Sequence, residues 1–258
     1  MKKLWNSFKI AFAMYSKIPM PQSEWTEENM SYAMCFFPWV GAVTGGISYL
    51  VVLFADLLKE REISFGSLFF PAVLTVLPVL ISGGIHMDGF LDTQDALSSW
   101  QSEEKRLEIL KDPHAGAFAI LSGCVYFILS LGIYSGVTEE SMRLIGMGFI
   151  LSRTLSGISV LRFPQARKNG LVAVFAERAD KRRTFRVLII YLVLEIVALL
   201  WAGRGAGLCC VIVAGLLFLY YYHMACAKFG GVTGDLAGYF LQICELGIAM
   251  AAVIVTSV

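Results

Sequence analysis

Seven stretches of this chain are apolar for long enough to cross a lipid bilayer: about 35–58, 65–83, 117–137, 144–161, 185–203, 206–226 and 236–257. A hydrocarbon core about 30 Å thick needs roughly 20 mostly apolar residues per helix. The spacing therefore predicts an all-α fold, a polytopic membrane helix bundle of about seven transmembrane helices. The fourth stretch is the shortest and carries Arg153. Composition agrees: 57% of the 258 residues are hydrophobic and 16% charged, against about 45–50% and 25% in soluble domains. That excludes a disordered chain and a small disulfide scaffold. The net charge of +1 gives nucleic acid no electrostatic footprint. The six cysteines lie in apolar stretches without a Cys-x-x-Cys pair, and read as small buried hydrophobes. With no linker tract and no internal repeat, residues 1–258 read as a single integral membrane domain.

The first residues do not read as a cleavable signal peptide, because Lys9 and Lys17 interrupt the apolar run. Leu4, Phe8, Phe12 and Tyr15 recur at helical spacing there. They suit either an amphipathic helix on the lipid surface or one packed against the bundle. Seven spans put the amino-terminal segment and the loops 84–116, 162–184 and 227–235 on one side. Sixteen lysines and arginines fall on that side and four on the other. The bias places the first side, with its two long loops 84–116 and 162–184, in the cytoplasm.

Polar chemistry concentrates in that compartment. Asp88, Asp92 and Asp95 follow the second span at spacing i, i+4, i+7. At about 100° per residue they share one helical face, within an arc of roughly 60°. Three carboxylates so close repel each other unless a cation neutralises them. Mg²⁺ takes oxygen ligands and shares its shell with substrate phosphates. A solvated acidic face is the plainer alternative, and the apolar neighbours at a membrane helix end weigh against it. Asp112, before Pro113, either caps a helix or joins the same site. Gly230, Gly231, Thr233, Gly234 and Asp235 enter the seventh span, where glycines admit a close backbone and helix amides favour phosphate. All three stretches fall on the cytoplasmic side, at the ends of different helices.

The loop 162–184 supplies positive charge. Lys181 to Arg183 fit the positive-inside signal, whereas Arg162, Arg167 and Lys168 are placed to clamp a phosphorylated substrate. Arg153 and Glu195 are costly inside lipid and should face the bundle interior. Glu245 either pairs with Arg153 or touches the site. Of the histidines, His86 suits a proton acceptor, a partner to the carboxylates or a structural role, and His223 suits interfacial packing.

Gly83-Gly84-Ile85-His86-Met87-Asp88-Gly89-Phe90-Leu91-Asp92-Thr93-Gln94-Asp95 resembles the Gly-Gly-x-His-x-Asp-Gly-x-x-Asp-Thr-x-Asp motif of the cobalamin synthase family, the adenosylcobinamide-GDP ribazoletransferases. Lys111-Asp112-Pro113-His114-Ala115-Gly116 is similar to that family's Lys-Asp-x-x-x-Gly segment, with His114 where the family varies. Gly230-Gly231-Val232-Thr233-Gly234-Asp235 resembles its Gly-Gly-x-Thr-Gly-Asp segment. The segments Ser16 to Pro21 and Phe36 to Gly41 also fit. The likeness runs from near residue 8 to the last span.

The resemblance implies a Mg²⁺-dependent phosphotransferase of the bacterial inner membrane, with its active site facing the cytoplasm. A ribose hydroxyl of α-ribazole, or of its 5′-phosphate, would attack adenosylcobinamide-GDP and release GMP. Asp88, Asp92, Asp95, Asp112 and Asp235 would hold the metal. Gly83, Gly84, Lys111, His114, Arg162, Arg167, Lys168, Gly230, Gly231, Thr233 and Gly234 would line the substrate. One of the aspartates or His86 would take the hydroxyl proton. Two other readings stand beside it. A CDP-alcohol phosphotransferase would need Gly where Ala96 stands and Ala-Arg where Ser99 and Trp100 stand. A secondary transporter would use Arg153, Glu195 and Glu245 near the midplane, but lacks paired repeats.

Overall fold

A computed structural model describes residues 2–63, 65–167 and 179–258. Among the described residues regular structure is helical, apart from a single bridge between Gln165 and Val232. The helices are α1 (Lys2–Tyr15), α2 (Glu27–Met30), α3 (Phe37–Glu60), α4 (Phe69–Ser82), α5 (Ile85–Ser98), α6 (Glu103–Ile109), α7 (Ala117–Ser135), α8 (Glu139–Arg162), α9 (Lys181–Phe229) and α10 (Gly234–Thr256). Five helical segments are long and apolar enough to cross a membrane, six if α4 and α5 count as one bent pair. The 49-residue α9 breaks at Arg204 (φ 42, ψ −110) into two limbs. Its first limb lies on α8, where Glu195 meets Thr154, and its second on α10, where Phe218 meets Phe240. Each limb is long enough to span. The polytopic bundle expected from the seven apolar stretches is therefore present, and its breaks fall within a few residues of the expected span ends.

Local signals explain the boundaries. Thr138 and Ser141 form a capping box that starts α8, and the Thr233 side chain accepts from the Leu236 N–H to start α10. Pro38 sits in the first turn of α3, where its missing N–H costs nothing. α4 is the exception. It holds only 14 residues, shorter than the expected 65–83, and the chain then turns by 96° into α5. Gly83 (φ 66) and Gly84 (φ 83) make that turn in the left-handed region, where a side chain would be strained.

Close helix contact holds the bundle together, as it must where lipid removes most of the hydrophobic drive. A methyl group on Gly45 of α3 would lie 2.4 Å from the Gly146 carbonyl oxygen of α8. Between α8 and α10 the Arg153 guanidinium and Glu245 carboxylate meet at 2.7 Å, with Ser152 donating to the same oxygen at 3.0 Å. Glu195 accepts from Thr154 at 2.8 Å. Each intramembrane charge thus faces a partner inside the bundle. Leu50, Leu80, Ile128, Leu194 and Leu216 point outward and exposed, as a lipid-facing surface requires.

α1 divides its face between the two roles expected of it. Phe12 and Tyr15 are buried in a small second core with Met34, Phe37 and Val40, while Leu4 and Trp5 stay exposed. The segment is docked by its second half and free to meet lipid by its first.

Candidate active site

The Gly83-Gly84 turn sends α5 off at 96° to α4, and the start of α10 packs against it. A methyl on Gly89 would sit 2.6 Å from the Asp235 carbonyl oxygen, and one on Gly238 would sit 3.0 Å from that of His86. Phe90 and Tyr239, the residues that follow these two glycines, stack with centroids 5.7 Å apart. Glycine at 89 and 238 lets the two backbones touch, which brings Asp235 beside the acidic face of α5.

The electrostatics show the convergence. Burial, then the charges of Asp88, Asp235, Asp95 and Asp112 in that order, raise the Asp92 carboxyl to about 6. No cation is among the charges acting on it. Aspartates from three separate sequence stretches therefore share one field. They are not equivalent. Both Asp95 oxygens accept backbone N–H groups from the start of α7, Gly116 at 2.5 Å and Ala119 at 2.9 Å, so Asp95 caps that helix. A side chain at Gly116 would collide with the Asp95 carboxylate. Asp112 is exposed and accepts from the His114 N–H at 3.0 Å, with the imidazole Nδ1 at 2.8 Å. These bonds hold it below the usual carboxylate range. Lys111 and His114 are exposed on the same loop. Among the described residues, no three His, Cys, Asp or Glu side chains stand close enough to hold a metal by themselves.

A cavity of about 300 Å³ opens beside this cluster. Asp88, Asp235, Thr233 and Arg167 line its polar end; Asp92, Asp95 and Asp112 lie outside its wall. The Gly230-Gly231 turn builds that end. Gly230 (φ 69) terminates α9, and Gly231 approaches Pro164 too closely for a side chain. The Val232 N–H donates to Pro164 at 2.8 Å and the Ala166 N–H to Val232 at 3.1 Å. This short pairing holds Arg167 next to Thr233 and Asp235. The Arg167 guanidinium donates to the Leu107 carbonyl, and its buried Nε has no partner among the described residues. Arg162 is directed elsewhere, its guanidinium 3.8 Å over the Phe185 ring. Lys168 lies outside the described residues.

His86 also lines the cavity, buried against Tyr15 and Phe37. Burial first, then the charge of Arg153, lowers it to about 3, so the imidazole is neutral. Sequence reasoning missed Tyr15 and Phe37 as cavity residues. Their signal, an aromatic end to α1 and a Phe before Pro38, is shared with ordinary core packing.

The description of the cobalamin-5-phosphate synthase family matches residues 7–253, nearly the whole chain. The chain belongs to the cobalamin-5-phosphate synthase family. An adenosylcobinamide-GDP ribazoletransferase of Lachnoclostridium phytofermentans is 49% identical over 98% of this chain and 95% of its own length. One of Desulfitobacterium hafniense is 33% identical over 95% and 94%, and one of Clostridium perfringens 26% identical over 98% and 100%. No solved structure matches. The family match includes every helix end that contributes to the cavity.

Proposed function

We propose that this chain is an adenosylcobinamide-GDP ribazoletransferase that joins adenosylcobinamide phosphate to α-ribazole 5′-phosphate. The observation that carries the reading is the gathering of Asp88, Asp92 and Asp235, from α5 and α10, beside a cavity that also holds Arg167. The names of the relatives supply the substrates, and the family's supplies the phosphorylated product. In the reaction a ribose hydroxyl oxygen forms a bond to the phosphorus bearing the corrinoid arm. The phosphoanhydride P–O bond breaks, GMP takes the bonding pair, and the hydroxyl proton leaves to a base.

The residues present fit Mg²⁺. Their donors are all carboxylate oxygens, the choice of a hard cation, and the field at Asp92 lacks a neighbouring cation. Mg²⁺ is commonly held by one or two carboxylates plus substrate phosphates, so a complete protein cage is not required. One or two of Asp88, Asp92 and Asp235 would hold the ion together with substrate phosphates, with Asp95 fixing α5 to α7 and Asp112 at the edge of the field. Bound there, the metal would stabilise the negative charge developing on the transferred phosphoryl and on GMP. Arg167, on the cavity wall, would pair its guanidinium charge with a phosphate of the substrate. Thr233 and Gly234 present the first amides of α10 to the same group. Asp88 or Asp235 takes the hydroxyl proton; the neutral, buried His86 is a poor acceptor.

The excess of lysine and arginine on the side that bears the site supports a cytoplasmic active site in a bacterial inner membrane. A transporter reading loses its motive, because Arg153, Glu245 and Glu195 are bound to one another or to Ser152 and Thr154.

The test is an assay of the purified protein with adenosylcobinamide-GDP, α-ribazole 5′-phosphate and Mg²⁺, following GMP. The expected result is stoichiometric GMP and cobalamin 5′-phosphate, abolished by a chelator, with Asp92→Asn slower by about 100-fold or more. A normal rate from Asp92→Asn would contradict the site.

A further inference from the structure

A second cavity, of about 310 Å³, shares no lining residue with the first. It is lined by Lys9, Ile10 and Ala13 of α1 and by the segment after that helix, with Gln22, Ser23 and Trp25. Every polar side chain on it can donate: an ammonium, an amide and a hydroxyl. No carboxylate is among the lining side chains.

Lys9 is the unusual member. It is only 9% exposed, and lysine is almost never buried unless paired. Its ammonium reaches the Gln22 carbonyl at 3.5 Å, the limit of a hydrogen bond, and among the described residues no carboxylate stands within 4.0 Å of it. Lys3, on the same helix, is partly exposed and has Glu28 at 4.0 Å. Lys9 and Gln22 both line the cavity and meet each other, so the ammonium stands at its wall. A buried cation with one long acceptor has two further N–H groups to satisfy, and an anion in the cavity satisfies them.

The location says which anion. At the end of α1 the Tyr15 ring packs 4.2 Å from Phe37, at the start of α3, and the Lys17 N–H donates to the Ile81 carbonyl near the end of α4 at 2.7 Å. α3 is long and apolar enough to cross a membrane, and α4 is the apolar arm of the bent pair. α1 therefore ends at the level where apolar helices begin, which in a bilayer is the headgroup layer. Trp5, Trp25 and Trp39 are exposed on these segments, and tryptophan gathers in that layer.

We propose that this cavity binds the phosphate headgroup of an anionic phospholipid, held by Lys9 with Gln22 and Ser23. Free phosphate offers the same charge. A lipid adds acyl chains beside Trp25, which lines the cavity and is 45% exposed; a soluble anion leaves that ring in water. The volume takes a glycerophosphate head and leaves the chains outside. α1 also lends Met14 and Tyr15 to the first cavity, so a lipid that steadies α1 steadies part of the lining of that cavity.

The test is native mass spectrometry of the full-length protein in detergent, titrated with phosphatidylglycerol, with phosphatidylcholine and with inorganic phosphate. The wild type should hold one phosphatidylglycerol about fivefold or more tighter than phosphatidylcholine. Lys9→Gln should lose that preference and Lys9→Arg should keep it. Lys2→Gln with Lys3→Gln, outside the cavity, should leave it within about twofold. Inorganic phosphate should not displace the lipid. Equal affinity for the two lipids in the wild type overturns the inference before any variant is made. A preference that survives Lys9→Gln, or that falls with the Lys2 and Lys3 substitutions instead, overturns it in favour of diffuse attraction to the basic surface. Inorganic phosphate that binds as tightly as phosphatidylglycerol overturns it in favour of a soluble anion.

Discussion

Two aspartates one turn apart on the same helix have opposite effects on the protein. Asp92 sits in the field of four other carboxylates and its carboxyl is raised from 3.8 to about 6. A folded-state pKa above the unfolded one means the folded state binds that proton more tightly. The charge therefore destabilises the metal-free fold progressively as pH rises from about 4 to about 6, and fully above that. Asp92→Asn should raise the unfolding temperature of chelator-treated protein at pH 7.5 and lose that advantage at pH 4.5. The gain should be about 1 kcal/mol, once solvent screening of a half-exposed group is allowed for. Asp95→Ala should do the reverse and lower the unfolding temperature, since two N–H groups of α7 lose their acceptor, at about 1–2 kcal/mol. Thermal unfolding followed by circular dichroism checks both. The acidic triad itself was legible from its i, i+4, i+7 spacing. The division of labour was not, because the Asp95 partners are 21 and 24 residues away and backbone amides leave no trace in side-chain sequence.

At the scale of helices, hydropathy located the spans well because lipid imposes a length on each. It set apart the two limbs of α9, with residues 203 and 206 on either side of the observed break at Arg204. It overestimated α4, which begins at Phe69 rather than 65 and holds 14 residues, while its end at Ser82 agrees with the expected 83; the 96° turn that Gly83 and Gly84 then make was not foreseen. The left-handed φ of both glycines is a three-dimensional fact that apolarity does not encode. Helix pairing was legible only as alternatives: Glu245 was expected either to pair with Arg153 or to touch the site, and the structure shows the pair, which ties α8 to α10 across 92 residues. Arg153→Met alone should destabilise the bundle by about 3–5 kcal/mol, because Glu245 is left buried without its cation. Arg153→Met with Glu245→Leu should recover most of that loss. Denaturation of the two variants in detergent reads the difference. Gly45→Val should be more damaging than either, with no room between α3 and α8 for the added methyls.

For the whole molecule, the three acidic and glycine-rich stretches end on the same side of the membrane. Parity of spans and the excess of basic residues predicted that from sequence. In a cysteine-free background, single cysteines at His114 and at Glu62 should react with a membrane-impermeant thiol reagent from opposite sides of the bilayer. Labelling of both from one side would remove the topology on which the site depends. The cluster of Tyr15, Phe37 and His86, by contrast, joins α1, the start of α3 and α5, segments that local pattern treats as unrelated.

The measurement that reaches the central claim most directly is Mn²⁺ electron paramagnetic resonance on the purified protein, titrated with and without adenosylcobinamide-GDP. Mn²⁺ takes the oxygen ligands that Mg²⁺ takes. The account predicts an immobilised Mn²⁺ signal that tightens when adenosylcobinamide-GDP is added, and that weakens at least tenfold in each of Asp88→Asn, Asp92→Asn and Asp235→Asn. Mn²⁺ binding that is indifferent to all three substitutions, in protein that still releases GMP, would contradict it.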